Sequence, residues 1–163
     1  VVFTTEPWTI TACKGLAVHP MVNYSLIHTK NGESYLIATQ RYEKHRSFFD
    51  KLGGKKMMSM QGDQFGDFTV VDPLTNRNLR VVFDNEIRPK YGSGINPVCP
   101  AHFIDDLKLA QVIFPLNSVL SLQTYRLERE GYVDEKGCFT EEVGEDLKGK
   151  NVLRDASNAV KKK

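Results

Sequence analysis

Short segments of alternating apolar and polar residues fill much of the chain, and Gly, Pro, Asn and Asp separate them. Residues 24–29 and 34–39 alternate on either side of Lys30-Asn31-Gly32. Asn-Gly between two such segments predicts a β-hairpin. β-Branched and aromatic residues predict further strands at 1–5, 15–18, 65–71, 79–83, 95–99, 120–129 and 132–133.

Helical spacing is confined to a few segments. Residues 40–52 repeat apolar positions at near-helical intervals before Gly53-Gly54, which predicts a helix and its C-terminal stop. Residues 103–114 place Phe103, Leu107 and Ala110 on one face, and Pro115 ends that helix.

The rest of the pattern consists of turns and less regular segments. Residues 151–163 predict a terminal helix, residues 72–76 and 134–137 predict turns, and residues 55–66 have no clear period. The sequence therefore predicts an α+β fold, a β-rich mixed sheet or barrel-like structure with two or three peripheral helices.

Composition is typical of a soluble globular protein. The 163 residues are 40% hydrophobic and 26% charged, with a net charge of +2, which is too balanced to indicate nucleic acid by itself. The longest apolar run is far below the roughly 20 residues of a membrane span, so no membrane partner is expected. We expect residues 1–163 to be one domain, a piece of a larger polypeptide or a processed chain, because the chain lacks an initiator Met and ends in three lysines.

The three cysteines are Cys13, Cys99 and Cys138. Their number is odd, their spacing is wide and no C-x-x-C motif occurs. The sequence therefore predicts neither a metal site nor a disulfide framework, and it favours a reducing compartment.

Two polar motifs lie far apart in the sequence. The first is Thr4-Thr5-Glu6-Pro7-Trp8-Thr9, and the second runs from Tyr91-Gly92-Ser93-Gly94 through Pro100-Ala101-His102 to Asp105-Asp106. Together they resemble a site built between strand ends. Structural interpretations stay open: threonines favour strands, a lone histidine is often structural, and carboxylates in the first turn of a helix favour its dipole.

These motifs resemble the editing domain inserted into isoleucyl-tRNA synthetases. Thr4-Thr5-x-Pro7-Trp8-Thr9-Ile10 with Ala17-Val18-His19-Pro20 matches the start of that domain, and the second motif matches one shared with the valyl and leucyl enzymes. The segments 133–143 and 147–152 match the family's later part, in the same order. The resemblance implies a hydrolase that removes valine from misacylated tRNA, because a hydrophobic pocket rejects one missing methylene by only ~1–3 kcal/mol.

The resemblance also implies roles for individual residues. Asp106 holds the α-ammonium of the misacylated amino acid, and Thr4 and Thr5 orient the water and the ester. The implied substrate-binding residues are Thr9, which blocks the cognate side chain, His102, at the oxyanion or the terminal adenosine, Asp105 and Gly94. The implied partners are the aminoacylated 3′ end of tRNA and the remainder of a parent synthetase, in the cytoplasm or an organellar matrix, with no metal or cofactor.

Four departures from the family pattern favour a second interpretation. Glu6 stands where the family often has Thr, and Cys13 stands where it has Asn. Pro97 replaces a histidine of the second motif, and Phe103 replaces a glycine with a bulky ring. The alternative is a degenerate editing fold kept as an RNA-binding or assembly element without hydrolysis. A third interpretation is a β-barrel binding module unrelated to tRNA.

Overall fold

The computed structural model describes residues 2–100, 102–113, 134, 136–156 and 158. The chain divides into two compact units. The first unit comprises Val1–Thr4, Leu16–Phe68 and Val81–Pro97, and the second comprises Thr5–Gly15, Thr69–Arg80 and Val98–Lys163.

The strands and helices of the described residues are short. The strands are β1 (Gly15–Val18), β2 (Asn23–His28), β3 (Ser34–Ala38), β4 (Lys55–Gln61), β5 (Thr69–Val71), β6 (Asn78–Phe83) and β7 (Ile95–Val98), and the α-helices are α1 (Thr39–Lys44), α2 (Arg46–Lys51) and α3 (Ile104–Ile113). One sheet has the order β3-β2-β4 and the other has the order β5-β6-β1-β7. This mixture of sheets and short helices confirms the predicted α+β class.

The predicted hairpin is confirmed. β2 and β3 are antiparallel, with Leu26 opposite Leu36, and they are joined through the Asn-Gly turn, where Gly32 has a φ of 87°. β4 pairs with the other side of β2. The sequence pattern missed β4 because Met57 and Met58 are both exposed, so the strand has no alternation of apolar and polar residues.

Two helix predictions are confirmed within the described residues. The helix predicted over 40–52 is present, but His45 ends α1 and begins α2 with φ −110° and ψ 23°. Helix α3 lies within the predicted segment 103–114. Pro115 and the strands predicted at 120–129 and 132–133 lie outside the described residues. Within the segment 151–163, where a terminal helix is predicted, Val152–Ala156 form a π-helical turn.

Two strand predictions are wrong, because one segment forms no strand and the other forms a shorter one. Residues 2–5 form no strand, because Pro7, whose φ is fixed by its ring, starts a 3₁₀ helix over Pro7–Ala12. The strand predicted over 65–71 is reduced to β5, because a second 3₁₀ helix covers Gly62–Phe65. The turn predicted at 72–76 is confirmed, with the Asp72 carboxylate accepting the backbone N–H of Leu74 at 3.0 Å.

Hydrophobic residues cluster inside each unit. The first unit has one cluster of Val18, Tyr24, Ala38, Phe65 and Ile95 and a second of Ile27, Ile37, Tyr42 and Phe49. In the second unit the buried residues are Phe139, Val143, Leu147 and Val152, and Trp8 and Leu74 pack against them. Among the described residues, no helix has the length and apolar character required to cross a bilayer.

Candidate functional site

The first turn of α3 carries the carboxylate of Asp106 to the end of β7. Its Oδ2 accepts a hydrogen bond from the backbone N–H of Cys99 at 2.6 Å. Hydrogen bonds to a charged acceptor are shorter and stronger than neutral ones. Cys99 is fully buried, so this N–H would be costly to leave without an acceptor. The contact fixes the orientation of Asp106.

The backbone between Cys99 and α3 folds back onto Cys99. The carbonyl oxygen of Cys99 accepts the backbone N–H groups of His102 and Phe103 at 2.9 and 3.1 Å. Both peptide groups of Cys99 are therefore engaged, one by the carboxylate of α3 and the other by the loop that leads into it. This closed loop places Asp106 at a defined position.

Thr9 is a second predicted residue near Cys99. Its side chain is completely buried, and its hydroxyl donates to the Glu6 carbonyl oxygen at 2.8 Å. The Thr9 hydroxyl opposes the rise in the pKa of the Cys99 thiol, so these two side chains interact. Two of the predicted site residues, Thr9 and Asp106, therefore lie near Cys99.

Cys13 and Cys99 form a buried pair that the sequence analysis missed. Both are buried free thiols that influence each other's acidity, and the Cys13 thiol donates to the Gly15 carbonyl oxygen at 3.0 Å. Next to them, the Lys14 N–H donates to the Val98 carbonyl oxygen at 2.9 Å. Cys99 belongs to the second polar motif and Cys13 follows the first, but nothing in the sequence indicates that they lie together.

The pKa values of the two thiols are shifted in opposite directions. The hydrogen bond from Cys99 is the largest influence on Cys13 and lowers its pKa below the usual value, against the opposing effect of burial. The interaction with Cys13, followed by burial, raises the pKa of Cys99. Cys13 is therefore the thiol of this pair that ionises more readily.

The ring of Trp8 packs against the ring of His102. The two ring centroids are 4.9 Å apart in an edge-to-face arrangement, and Trp8 also packs on the hydrophobic cluster of the second unit. Trp8 is therefore a packing residue as well as the neighbour of His102. The ring centroid of Phe103 is 6.4 Å from that of His102, and Phe103 is 37% exposed.

The remaining predicted residues lie elsewhere. Asp105 is exposed and forms an ion pair with Lys108 of the same helix at 2.9 Å, an interaction that contributes little in solvent. Thr5 is exposed in the second unit. Thr4, which is half-buried, and Gly94, which is buried, belong to the first unit. Gly94 has a φ of 75°, and its carbonyl oxygen accepts the Tyr24 hydroxyl at 2.8 Å.

The first unit contains a largely apolar cavity of about 500 Å³. Its wall is formed by Val2, Phe3, Tyr35, Ile37, Arg41, His45, Phe48, Phe49, Gly92 and Ser93. The Arg41 guanidinium is held at its edge by the carbonyl oxygens of Gly92 and Lys90, at 2.7 and 3.0 Å. In the described part of the chain, no three His, Cys, Asp or Glu side chains are grouped so that they could hold a metal ion.

Two curated proteins match almost the whole chain. It is 31% identical over 160 residues to the isoleucine–tRNA ligase of Prochlorococcus marinus strain MIT 9301, and 28% identical over 165 residues to the probable mitochondrial isoleucine–tRNA ligase of Dictyostelium discoideum. Each match covers 98% of this chain, but the chain spans only 15% of the length of each relative. No protein-family model matches the chain.

Solved structures share the fold. The editing domain of the P. falciparum cytosolic leucyl-tRNA synthetase aligns with a TM-score of 0.60 over 98% of this chain and 74% of that structure, at 13% identity. A leucyl-tRNA synthetase domain described as GlLeuRS-CP1 aligns with a TM-score of 0.61 over 78% of this chain and 49% of the other, at 18% identity. At these identities, the likeness is one of fold.

Proposed function

We propose that this chain, a homologue of isoleucine–tRNA ligases with the fold of a synthetase editing domain, hydrolyses valyl-tRNA formed by mistake on an isoleucine tRNA. The observation that carries the proposal is the fixed carboxylate of Asp106, which the Cys99 amide orients at the end of β7. An oriented carboxylate can bind the α-ammonium of an aminoacyl group and position its ester for attack.

The reaction is the addition of water to the ester carbonyl carbon. The bond from that carbon to the ribose oxygen breaks, free valine leaves, and a proton passes to the terminal ribose hydroxyl. We assign the amino-group contact to Asp106, and the positioning of water and ester to Thr4 and Thr5. A hydroxyl can hold a water molecule in line without itself becoming a nucleophile.

His102 and Thr9 have supporting roles in this proposal. His102 donates to the oxyanion or contacts the terminal adenosine, and its ring is steadied by Trp8. Thr9 is completely buried and hydrogen bonded through its hydroxyl, so it acts on the shape of the pocket by fixing the backbone at Glu6. Asp105 and Gly94 complete the substrate-binding set.

We further propose that the chain works as the editing domain of a longer synthetase. Its match to about one seventh of each relative supports this context. The partners are then the aminoacylated 3′ end of tRNA and the remainder of the polypeptide. The bacterial and mitochondrial relatives are consistent with the cytoplasm or an organellar matrix as its location.

The direct test is deacylation of purified valyl-tRNA and isoleucyl-tRNA by the intact polypeptide. We expect valyl-tRNA to be hydrolysed well above the rate in buffer and isoleucyl-tRNA to be spared. A rate equal to that in buffer for valyl-tRNA would refute the hydrolytic function. Equal rates for the two esters would refute the proposed specificity.

A second function is favoured by β7, where Pro97 is buried at the position of the family's histidine. Proline offers no side-chain donor to substrate, which favours an editing fold retained for RNA binding or assembly. The same deacylation assay distinguishes this case when it is combined with a tRNA-binding titration. Tight binding without hydrolysis supports an RNA-binding element, and the absence of both supports an assembly role.

A further inference from the structure

We propose that Arg41 is a positioning residue, which clamps the backbone of residues 90–94 and thereby fixes Gly94 in position to contact the aminoacyl group. We call residues 90–94 the glycine loop. The effect on hydrolysis rests on the proposed function, in which Gly94 belongs to the substrate-binding set. The clamp itself is a feature of the fold and does not depend on that function.

The guanidinium of Arg41 is committed to the glycine loop. Its Nε donates to the Gly92 carbonyl oxygen at 2.7 Å, and its Nη1 donates to the Lys90 carbonyl oxygen at 3.0 Å. Among the described residues, no carboxylate forms an ion pair with Arg41. Hydrogen bonds from a charged donor are stronger than neutral ones, and the planar guanidinium fixes its two acceptors relative to each other. Arg41 therefore holds the first half of the loop at two points.

The glycine loop needs such anchors because its backbone is left-handed at two positions. Gly92 and Gly94 have φ values of 52° and 75°, and glycine loses more conformational freedom on folding than any other residue. The Ser93 carbonyl oxygen accepts the Ala38 N–H at 2.8 Å, and the Gly94 carbonyl oxygen accepts the Tyr24 hydroxyl at 2.8 Å. Ala38 and Tyr24 lie directly opposite each other in the β2–β3 hairpin. The hairpin therefore fixes the second half of the loop, and the guanidinium clamp fixes the first half.

The clamped loop adjoins two residues of the proposed site, Thr4 and Gly94. The Phe3 N–H donates to the Ile95 carbonyl oxygen at 3.0 Å. Because Thr4 follows Phe3 and Gly94 precedes Ile95, this bond joins the residues next to them. A Cβ added at Gly92 would clash with the Phe3 side chain, so Phe3 also packs directly on the loop. Release of the loop would therefore displace Gly94 relative to Thr4, and a misplacement of about 1 Å can reduce a rate by about 100-fold.

The first experiment measures hydrolysis of valyl-tRNA by the intact polypeptide carrying Arg41→Ala. We expect kcat to fall by about 10- to 100-fold while KM stays within about threefold of the wild-type value, because the loop acts on the geometry of attack. Arg46→Ala is the matched control and should hydrolyse at the wild-type rate. Arg46 is an exposed arginine of α2, whose ion pair with Glu43 spans 3.7 Å and does not involve the loop.

Guanidinium ion supplies a chemical rescue of the same variant. Arg41 lines the cavity of about 500 Å³, so its truncation to alanine leaves space for a free guanidinium beside the carbonyl oxygens of Gly92 and Lys90. We expect guanidinium chloride, at concentrations too low to denature the protein, to restore most of the lost kcat. Sodium chloride at the same ionic strength should restore none of it. Equal restoration by both salts would show an effect of screening and would overturn the clamp.

The second experiment follows the loop without any reaction. The backbone N–H groups of Tyr91 and Gly94 are hydrogen bonded at 3.0 and 3.1 Å, so they report on the order of the loop. Deuterium uptake of the peptide that contains them is measured by mass spectrometry. We expect uptake to be about tenfold faster in Arg41→Ala and unchanged in Arg46→Ala. Arg41→Lys keeps the charge but not the paired Nε and Nη1 donors, so it should also accelerate uptake and replaces Arg41→Ala if that variant does not fold.

Two further outcomes would overturn the inference. One is an equal kcat for Arg41→Ala and Arg46→Ala. The other is unchanged deuterium uptake of the glycine loop in both Arg41 variants. If the wild-type protein hydrolyses no valyl-tRNA, the proposed function fails, but the deuterium uptake still decides whether Arg41 clamps the loop.

Discussion

The Asp106 carboxylate accepts the backbone N–H of Cys99 at 2.6 Å, and this contact joins the start of α3 to the end of β7. The pKa of the Cys99 thiol in turn responds to Thr9 and Cys13, which come from the beginning of the chain. The two polar motifs therefore meet in the second unit at one buried cysteine. Asp106 has a structural contact and a proposed binding role, and substitutions can separate them.

Asp106→Ala should destabilise the fold. The buried N–H of Cys99 loses its acceptor, and an unsatisfied buried group costs about 1–3 kcal/mol of the free energy of unfolding. Chemical denaturation of the variant and the wild type measures the difference. Asp105→Ala is the matched control, because Asp105 is exposed on the adjacent position of the helix and should change stability by less than about 0.5 kcal/mol. Equal effects for the two variants would contradict the structural role of Asp106.

Thr9→Val should lower stability by about 1–2 kcal/mol with little change in volume. The Glu6 carbonyl oxygen, which is partly buried, loses the hydroxyl that donates to it at 2.8 Å and keeps only the Thr9 backbone N–H at 3.0 Å. Thr9→Ser is the control that retains the hydroxyl and removes a methyl group. Thermal unfolding should rank the wild type above Thr9→Val; if Thr9→Val unfolds at the wild-type temperature, the hydroxyl has no structural role.

Gly94→Ala should cost more stability than Gly32→Ala. Both glycines have positive φ, 75° and 87°, so both pay the conformational penalty of a Cβ in the left-handed region. At Gly94 the new Cβ would also lie 2.7 Å from the Cβ of Ala38, whereas at Gly32 it would meet nothing within 4 Å. We expect about 1 kcal/mol for Gly32→Ala and an additional 1–3 kcal/mol, roughly, for Gly94→Ala. Denaturant titrations that give the same loss for both would show that the packing around Gly94 relaxes freely.

Tyr35→Phe should raise the pKa of Glu33. The Tyr35 hydroxyl donates to the Glu33 carboxylate at 2.6 Å, and this bond, followed by one from Asn31, holds that pKa below its usual value. A lowered folded-state pKa stabilises the protein above the unfolded pKa, and this contribution disappears as the pH falls through the folded pKa. NMR titration of the Glu33 carboxyl carbon checks the shift. An identical titration in Tyr35→Phe would exclude the tyrosine as its main cause.

Local sequence patterns predicted the elements whose structure depends on a few neighbouring residues. The Asn-Gly turn determined the β2–β3 hairpin, and the apolar spacing before Pro115 determined α3. The sequence pattern failed where contacts with distant parts of the chain determine the local structure. β4 is exposed on most of its length and so shows no alternation, and residues 2–5 form no strand before the 3₁₀ helix that begins at Pro7.

The candidate site was predictable only in part. The two motifs identified Asp106 and Thr9 as neighbours in function, and the fold brings both to Cys99. The thiol pair could not be predicted, because the contact depends on which strands are adjacent. Cys13 and Cys99 are far apart in the sequence, and no spacing rule connects them.

The measurement that tests the central claim most directly is valyl-tRNA hydrolysis by Asp106→Asn. Asparagine keeps an oxygen that can accept the Cys99 N–H, but it removes the charge that would bind the α-ammonium. We predict that hydrolysis falls by about 100-fold, equal to about 2.7 kcal/mol of transition-state stabilisation, while thermal unfolding stays close to that of the wild type. Hydrolysis by Asp106→Asn at the wild-type rate would contradict the account.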